Sequence, residues 1–487
     1  MSEARARAIG LLGGGVIGGG WAARFVLNGV HVQLYDPAPG AVERVQETLA
    51  NARRAYQRLT MAPLPAEGAL IVANSVAEAV RGVELVQESA SECLELKQQL
   101  LASASRAATP ETLICSSTSG LRPSLLAKEM NHPERLLVSH PFNPLYLLPL
   151  VELCAAPATA PETLERAAEI YRSVGMHPAL VRKEVDGFVA NRLQEALWRE
   201  ALWLVHDDLA TVQEVDDAIC YSFGLRAPIL GPFRIGAGEI GMRQHMAIWG
   251  PVTLNLPRRK LADAPELTEA FLDKLAEQSE ARDDNQKIPE LQQKRDDCLV
   301  AVLQGLRAQG YGAGETLARW EKGLRDRAPQ LTRASGQLEM TRQIPSDWID
   351  YNGHLTESRY LQLCGIATDN LLTYVGINAE YRSKFGSYYT LETHLSHLGE
   401  LYAGERVQVL TQVLGADDKR LHVFHVLTRE GDEKPAATGE QMLIHVKAGS
   451  GRSGPAQGSV RKRMLELARK HAELSRPERA GASIRLR

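Results

Sequence analysis

Cysteine is scarce in this chain and nowhere paired in spacing. Its six cysteines, Cys93, Cys115, Cys154, Cys220, Cys298 and Cys364, are scattered over 487 residues. That excludes a disulfide framework and a zinc knuckle, so no metal is expected, and it fits a reducing cytoplasm. Long apolar runs are also missing. None reaches the roughly 18 residues of a membrane span, so no membrane partner is expected. Excess charge of one sign is missing too. Lysine plus arginine number 56 against 59 aspartates and glutamates, a net of −3, and nothing points to nucleic acid. A content of 44% hydrophobic and 24% charged residues is ordinary for a globular protein. At about 100–200 residues per domain, the length predicts two to four domains. Arg5 and Arg7 precede apolar residues in the manner of a signal peptide, but the glycines that follow have a better explanation.

A short apolar strand, Ala8 to Leu12, runs directly into Gly13-x-Gly15-x-x-Gly18. A helical stretch from Trp21 to Leu27 follows, closed by Asn28-Gly29. A second strand, His31 to Tyr35, ends in Asp36, 18 residues beyond Gly18. Strand, glycine loop, helix and acid together form the dinucleotide-binding βαβ fingerprint. Gly13 allows the tight turn, Gly15 lets the backbone approach a pyrophosphate, and Gly18 lets helix and strand pack closely. The backbone of Val16, Ile17 and Gly18 opens the helix whose N-terminus takes the anion. A carboxylate at Asp36 binds ribose hydroxyls and repels a 2′-phosphate. The cofactor expected is NAD.

Strand and helix signals alternate from there to Val138, which predicts a parallel sheet with helices on both faces. Ligands bind at the carboxyl ends of such strands. Three polar groups sit there: Glu88-Ser89-Ala90, Ser116-Ser117-Thr118-Ser119, and His140. His140 ends one apolar run and Glu152 lies in the next, 12 residues on, with Pro141, Pro144 and Pro149 shaping the connection. Two strands so joined can bring imidazole and carboxylate together. The carboxylate then fixes the tautomer, and the second ring nitrogen is free to take a proton from a hydroxyl. Taken alone, His140 reads more readily as a buried histidine satisfied by a turn carbonyl, and its surroundings reverse that preference.

These residues resemble the 3-hydroxyacyl-CoA dehydrogenase family. The resemblance rests on the glycine loop, Asp36, Glu88 with Leu94-Glu95-Leu96-Lys97, Ser116-Ser117-Thr118-Ser119, and His140-Pro141-Phe142-Asn143-Pro144 with Glu152. It continues through Asp186-Gly187-Phe188-Val189-Ala190-Asn191-Arg192-Leu193, and it runs to about residue 320. It implies that His140 is the catalytic base and Glu152 its orienting partner, with Ser116 and Asn191 on the substrate oxygen and Glu88 in the cofactor site. Ser117 stands where many members have asparagine. By the same resemblance, residues 1–185 form a Rossmann domain and residues 186–322 an all-α domain like that of 6-phosphogluconate dehydrogenase. The apolar-periodic stretch from Phe188 to His206 then reads as a core helix. The segments Gly231-Pro232-Phe233 and Gly241-Met242-Arg243 are expected to wall a substrate cleft, and they look like the branch acting on small free hydroxy acids. Phe142, Tyr146, Phe188, Trp198 and Phe233 supply aromatic faces that could hold a quaternary ammonium.

Residues 323–336 read as a polar linker. Asp350-Tyr351-Asn352-Gly353-His354 then precedes a helix from about Glu357 to Val375, followed by four period-2 strands. A helix wrapped by a curled antiparallel sheet is the hot-dog arrangement, expected over residues 337–448. The motif, with Tyr360, resembles acyl-CoA thioesterases of the 4-hydroxybenzoyl-CoA type, which implies Asp350 as nucleophile or base. Leu355-Thr356-Glu357 departs from the usual Val-Asn-Asn, and a purely structural hot-dog domain stays open. Residues 449–487 read as a basic tail with a solvated amphipathic helix.

The α/β chain as a whole resembles the two-function L-carnitine dehydrogenases of bacteria. That implies NAD-dependent oxidation of L-carnitine to 3-dehydrocarnitine and hydrolysis of betainyl-CoA. Both fold families associate in pairs, so a homodimer is expected. Two alternatives stand. One is a 3-hydroxyacyl-CoA or L-gulonate dehydrogenase fused to a thioesterase of other specificity. The other is a non-enzymatic dinucleotide-binding protein resembling the λ-crystallins.

Overall fold

The computed structural model describes residues 6–60, 62–229, 247, 265–282, 288–327, 337–344 and 348–482. The chain divides into two compact units, Met1–Asp326 and Arg327–Arg487.

The first unit is built on an eight-stranded sheet. Its strands are β1 (Ala8–Leu12), β2 (His31–Tyr35), β3 (Leu70–Val72), β4 (Leu85–Glu88), β5 (Leu113–Ser116), β6 (Leu136–Pro141), β7 (Leu150–Ala155) and β8 (His177–Val181). They lie in the order β3-β2-β1-β4-β5-β6-β7-β8. Strands β1 to β6 pair in parallel, whereas β7 runs antiparallel to β6. The helices between them are α1 (Val16–Val26), α2 (Ala41–Leu59), α3 (Val76–Ala79), α4 (Leu94–Ala107), α5 (Pro123–Leu126) and α6 (Pro161–Ser173). Successive strand residues point to opposite faces, so the sheet is covered twice. Leu11 and Leu137 join Trp21, Phe25 and Tyr171 in one core, while Leu12 and Val138 join Val86, Ile114 and Phe188 in the other.

Among the described residues five α-helices follow: α7 (Ala190–His206), α8 (Val212–Cys220), α9 (Glu269–Arg282), α10 (Ile288–Ala308) and α11 (Ala313–Arg327). They do not form one separate layer. Val300 and Leu303 of α10, with Leu317, Trp320 and Leu324 of α11, belong to the first core of the sheet. Trp320 Nε1 donates to Asn28 Oδ1 at 2.7 Å. The expected linker therefore begins inside a helix, because Leu324 is buried against the sheet layer. Helix α7 also differs from expectation. Among its described residues only Val205 is buried, and Leu193, Leu197 and Trp198 face solvent.

The second unit has strands β9 (Leu338–Gln343), β10 (Ser387–His397), β11 (Arg406–Ala416), β12 (Arg420–Arg429) and β13 (Pro435–Val446). They form an antiparallel sheet in the order β10-β13-β12-β11-β9. Helix α12 (Glu357–Tyr374) lies against the sheet with Leu363, Cys364, Ala367 and Leu371 buried. This is the hot-dog arrangement. Helices α13 (Ala379–Phe385) and α14 (Gly458–His471) complete it. Helix α14 is not a solvated tail. Val460, Met464, Leu467 and His471 recur at helical spacing and are buried, and Val413 N donates to His471 Nδ1 at 2.9 Å. The stripe was visible in the sequence, but the β11 surface that receives it was not.

Candidate active sites

The carboxyl ends of the parallel strands form a row. In register, Leu12 of β1 sits beside Glu88, Glu88 beside Ser116, and Ser116 beside Val138. His140 follows two residues later on β6 and stands directly opposite Glu152 on antiparallel β7. His140 Nδ1 lies 2.9 Å from Glu152 Oε2, and the two side chains are 4% and 3% exposed. The second oxygen, Oε1, accepts from Val189 N at 3.1 Å and Ala190 N at 2.9 Å. Glu152 therefore holds the N-terminus of α7 as well as the imidazole. Burial alone would raise its carboxyl, but His140 and the two backbone amides hold it below the usual carboxylate range. An anionic Glu152 accepts from Nδ1–H and leaves Nε2 as the ring nitrogen that takes up a proton.

The glycine turn lies at the end of β1. Gly13 has φ +107°, and a Cβ there would stand 2.5 Å from Ser89 O. A Cβ on Gly18 would stand 1.9 Å from Gly13 O, so helix and turn touch through that glycine. In front of Gly15, by contrast, a Cβ would meet nothing within 4 Å. Helix α1 begins at Val16 with no side-chain cap and no acid in its first turn. Its first amides, those of Val16, Ile17 and Gly18 among them, have no partner within the helix and suit an anion. Asp36 Oδ2 accepts from Gly14 N at 2.6 Å and Oδ1 from Ala38 N at 2.8 Å, which fixes the carboxylate beside the turn. These residues fit the pyrophosphate and ribose of a dinucleotide.

In the second unit Asp350 lies in a tight loop ahead of α12. Asp350 N donates to His354 O at 2.9 Å, Gly353 N returns to Asp350 O at 3.0 Å, and Asn352 N donates to Asp350 Oδ1 at 2.8 Å. Thr356 is the N-cap of the helix, so the carboxylate sits before the helix and not within it. His354 Nε2 is 3.2 Å from Glu400 Oε2, to which Tyr402 OH donates at 2.7 Å. Tyr360 OH donates to Gly399 O at 3.2 Å. Asp350 and His354 thus occupy one loop, each with a defined partner.

Comparison with known proteins matches these regions of the chain to families. Residues 8–185 match the 3-hydroxyacyl-CoA dehydrogenase NAD binding domain and residues 187–249 its C-terminal domain. Residues 344–464 match the thioesterase-like superfamily. The chain is 45% identical over 484 residues to the L-carnitine dehydrogenase/betainyl-CoA thioesterase of Rhizobium meliloti (strain 1021), covering 97% of each. It is 45% identical over 482 residues to the protein of the same name from Ruegeria pomeroyi (strain ATCC 700808 / DSM 15171 / DSS-3), covering 98% of each. The chain belongs to the L-carnitine dehydrogenase/betainyl-CoA thioesterase family. Among solved structures, an NAD+ dependent 5-formyl-3-hydroxy-2-methylpyridine 4-carboxylic acid 5-dehydrogenase superposes with TM-score 0.53 at 28% identity. It covers 62% of this chain and 98% of its own. The chain carries the NAD-binding domain of its family, together with a dehydrogenase part and a thioesterase part.

Within this family member the predicted residues fall into distinct places. Phe142 and Phe188 flank His140, with ring centroids at 4.6 and 5.6 Å. Phe188 is fully buried and has φ +49°, beside Gly187 at φ +74°. The packed ring keeps this residue in a backbone region that side chains seldom adopt. Tyr146 belongs elsewhere: it is buried in the sheet core and its OH donates to Asp296 Oδ2 at 2.6 Å. Trp198 is 62% exposed on α7 and makes no ring contact with the dyad. Phe233, with the segments Gly231–Phe233 and Gly241–Arg243, lies outside the described residues. A cleft of about 690 Å³ runs along the start of α7, lined by Phe188, Val189, Arg192 and Leu193 among others.

Glu88 and Ser116 are fully buried and hold each other, the hydroxyl donating to Glu88 Oε2. Glu88 Oε1 takes Lys97 Nζ at 2.8 Å and Ala90 N at 2.7 Å. Glu88 therefore faces an internal cation and not the glycine turn. A carboxylate at the end of a buried strand requires such a partner. Asn191 Nδ2 donates to Ser119 O at 3.3 Å. Reading the chain as a string left Lys97 and Glu92 without a role. Lys97 lies in the first turn of α4, and its burial is visible only in the fold.

Proposed function

We propose that the first unit oxidises L-carnitine to 3-dehydrocarnitine with NAD and that the second hydrolyses betainyl-CoA to glycine betaine and CoA. The observation that carries the first activity is the buried His140–Glu152 pair, in the same sheet whose first strand runs into an open glycine turn. NAD, when bound, supplies the hydride acceptor. His140 Nε2 takes the proton of the secondary alcohol as the hydrogen on its carbon leaves as hydride. The products are ketone, NADH and one proton, and the proton passes from the imidazolium to solvent. Glu152 stabilises that imidazolium and keeps Nδ1 protonated throughout. Asn191 donates to the substrate oxygen. Ser116 acts one step away, through Glu88. Phe142, half-buried beside the imidazole, offers its face to the trimethylammonium group. Asp36 favours NAD over NADP, since a 2′-phosphate would meet its carboxylate.

In the second unit Asp350 is the nucleophile or the base for water, and His354, paired with Glu400, moves the proton that accompanies C–S cleavage. Residues 1–185 carry NAD binding, and the rest of the first unit, to Asp326, completes the dehydrogenase. The chain works as a homodimer, because α7 leaves Leu193, Leu197 and Trp198 uncovered, an apolar row that a second copy would bury. A cytoplasmic location fits the free thiols of the six cysteines.

The test is NADH formation with L-carnitine, D-carnitine, L-gulonate and 3-hydroxybutyryl-CoA, one at a time, with CoA release from betainyl-CoA measured in parallel. Oxidation of L-carnitine together with hydrolysis of betainyl-CoA is expected. Turnover of gulonate or the CoA ester in place of L-carnitine would overturn the substrate reading.

A further inference from the structure

In the second unit the loop of residues 398–402 stands beside the loop that carries Asp350. It is fixed from three directions. Leu398 N and Gly399 N both donate to Ala436 O of β13 at 2.9 Å, Tyr360 OH of α12 donates to Gly399 O at 3.2 Å, and Leu355 N donates to Leu401 O at 2.8 Å. Asp350 N in turn donates to His354 O at 2.9 Å. The two loops are therefore joined through Leu355, with Asp350 on one arm and Glu400 on the other.

The Glu400 carboxylate is held at one oxygen and open at the other. Oε2 lies 3.2 Å from His354 Nε2 and accepts from Tyr402 OH at 2.7 Å, whereas Oε1 has no partner among the described residues. The rings of His354 and Tyr402 meet edge to face, with centroids 5.2 Å apart. Glu400 is 60% exposed and Tyr402 40%, so both reach the medium from a fixed base. The guanidinium of Arg429 adjoins this loop, but its charge is answered by Glu405 at 3.0 Å and Asp432 at 3.3 Å. To Glu400 it donates only at the backbone carbonyl, at 3.1 Å. Among the described residues no lysine or arginine pairs with the Glu400 carboxylate.

The proposed thioester makes a particular demand. In betainyl-CoA one methylene separates the ammonium nitrogen from the thioester carbon. Whatever reads the cation must therefore neighbour whatever attacks the carbonyl. A quaternary ammonium has no N–H to donate, and it is recognised by charge and by aromatic faces. A carboxylate pinned at one oxygen, with a tyrosine ring beside it, supplies both on the arm next to Asp350. The pinning removes rotamer freedom from a long side chain before the ligand arrives.

We propose that Glu400, held by His354 and Tyr402, reads the positive charge on the acyl group and makes the second unit selective for cationic acyl thioesters. Tyr402 adds a ring face for the N-methyl groups. Glu400 keeps its pairing with His354 through Oε2, and Oε1 faces the cation.

The inference rests on the thioesterase reading of this site, and the experiment separates the two. CoA release by the full chain is measured with betainyl-CoA and with its uncharged isostere 3,3-dimethylbutyryl-CoA, in which carbon replaces the ammonium nitrogen. The quantity read is the ratio of kcat/KM for the two thioesters. Their different intrinsic reactivities cancel when a variant is compared with wild type. Any loss that acts through His354 falls on both substrates and cancels as well. Glu400→Gln is expected to lower the ratio about tenfold or more, and Tyr402→Leu about threefold or more, with Tyr402→Phe closer to wild type because it keeps the ring. An unchanged ratio in Glu400→Gln would overturn the proposal, whatever happens to the separate rates. If Glu400→Gln hydrolyses neither thioester, Tyr402→Leu decides by the same ratio: a fall supports the proposal and no change overturns it. Failure of the thioesterase reading would show in the wild-type chain itself, as no release of CoA from betainyl-CoA.

Discussion

Replacing Glu152 with glutamine changes one atom of a buried side chain and two consequences of it. The carboxylate accepts three N–H groups, from His140 Nδ1, Val189 and Ala190. Glutamine keeps an oxygen that can serve the two backbone amides, so α7 stays in place. Its other end becomes a donor facing Nδ1–H. Two donors cannot share that contact, and the imidazole responds by moving its proton to Nε2. The nitrogen that should take the substrate proton is then already protonated. A wrong-tautomer penalty of this kind is about 10³- to 10⁴-fold in kcat, or about 4–5.5 kcal/mol of barrier. The assay is the initial rate of NADH formation with L-carnitine and NAD both saturating, with betainyl-CoA hydrolysis by the same preparation as control. Glu152→Ala separates geometry from tautomer. It leaves two part-buried amides without their carboxylate acceptor, and should lower the unfolding midpoint of the first unit where Glu152→Gln does not. The carboxyl of Glu152 sits below its ordinary value of 4.5 in the folded chain. Its contribution to stability is therefore complete above that pH, and it is lost as pH falls through the lower folded value. Glu152→Gln removes that acid limb. A glutamine variant within about tenfold of wild type in kcat would refute the tautomer argument.

Three further predictions concern other places in the chain. Asp36→Ala should raise KM for NAD and narrow the preference over NADP by about tenfold or more, since one ribose contact and one phosphate-repelling charge go together; unchanged kinetics with both cofactors would remove Asp36 from the ribose site. Asp350→Asn should lower betainyl-CoA hydrolysis by at least about 10²-fold and leave carnitine oxidation intact; a retained thioesterase rate would shift that role to another group. His425 is enclosed by Thr368, Thr411 and Gln441, and burial pushes its imidazole down to about 4 from 6.5. The unfolded chain then binds the proton first, so the second unit should lose stability as pH falls from about 6.5 to about 4, by roughly 3 kcal/mol in all. Denaturant unfolding across that range should show the slope in wild type and not in His425→Gln; equal slopes in the two would exclude His425 as the cause.

Local patterns specified the elements that carry the candidate sites. The glycine turn, Asp36, the partnering of His140 with Glu152 and the hot-dog order of helix and strands all follow from patterns within short windows. What the sequence could not decide is which side chains meet across long separations. Tyr146 looked like a site aromatic because it lies six residues from His140 in the chain. In the fold it points into the core, where Asp296, 150 residues away, takes its hydroxyl. Lys97 has its acidic partners close by in the chain, Glu88 and Glu92, yet that it is 1% exposed between them is visible only in the fold. Helix α14 carried a legible apolar stripe, but its partner β11 lies more than forty residues earlier. Periodicity and spacing are properties of the chain, and they specify elements and motifs. Burial and pairing are properties of the packed fold, where a buried charge or apolar face needs a partner that the linear order does not name.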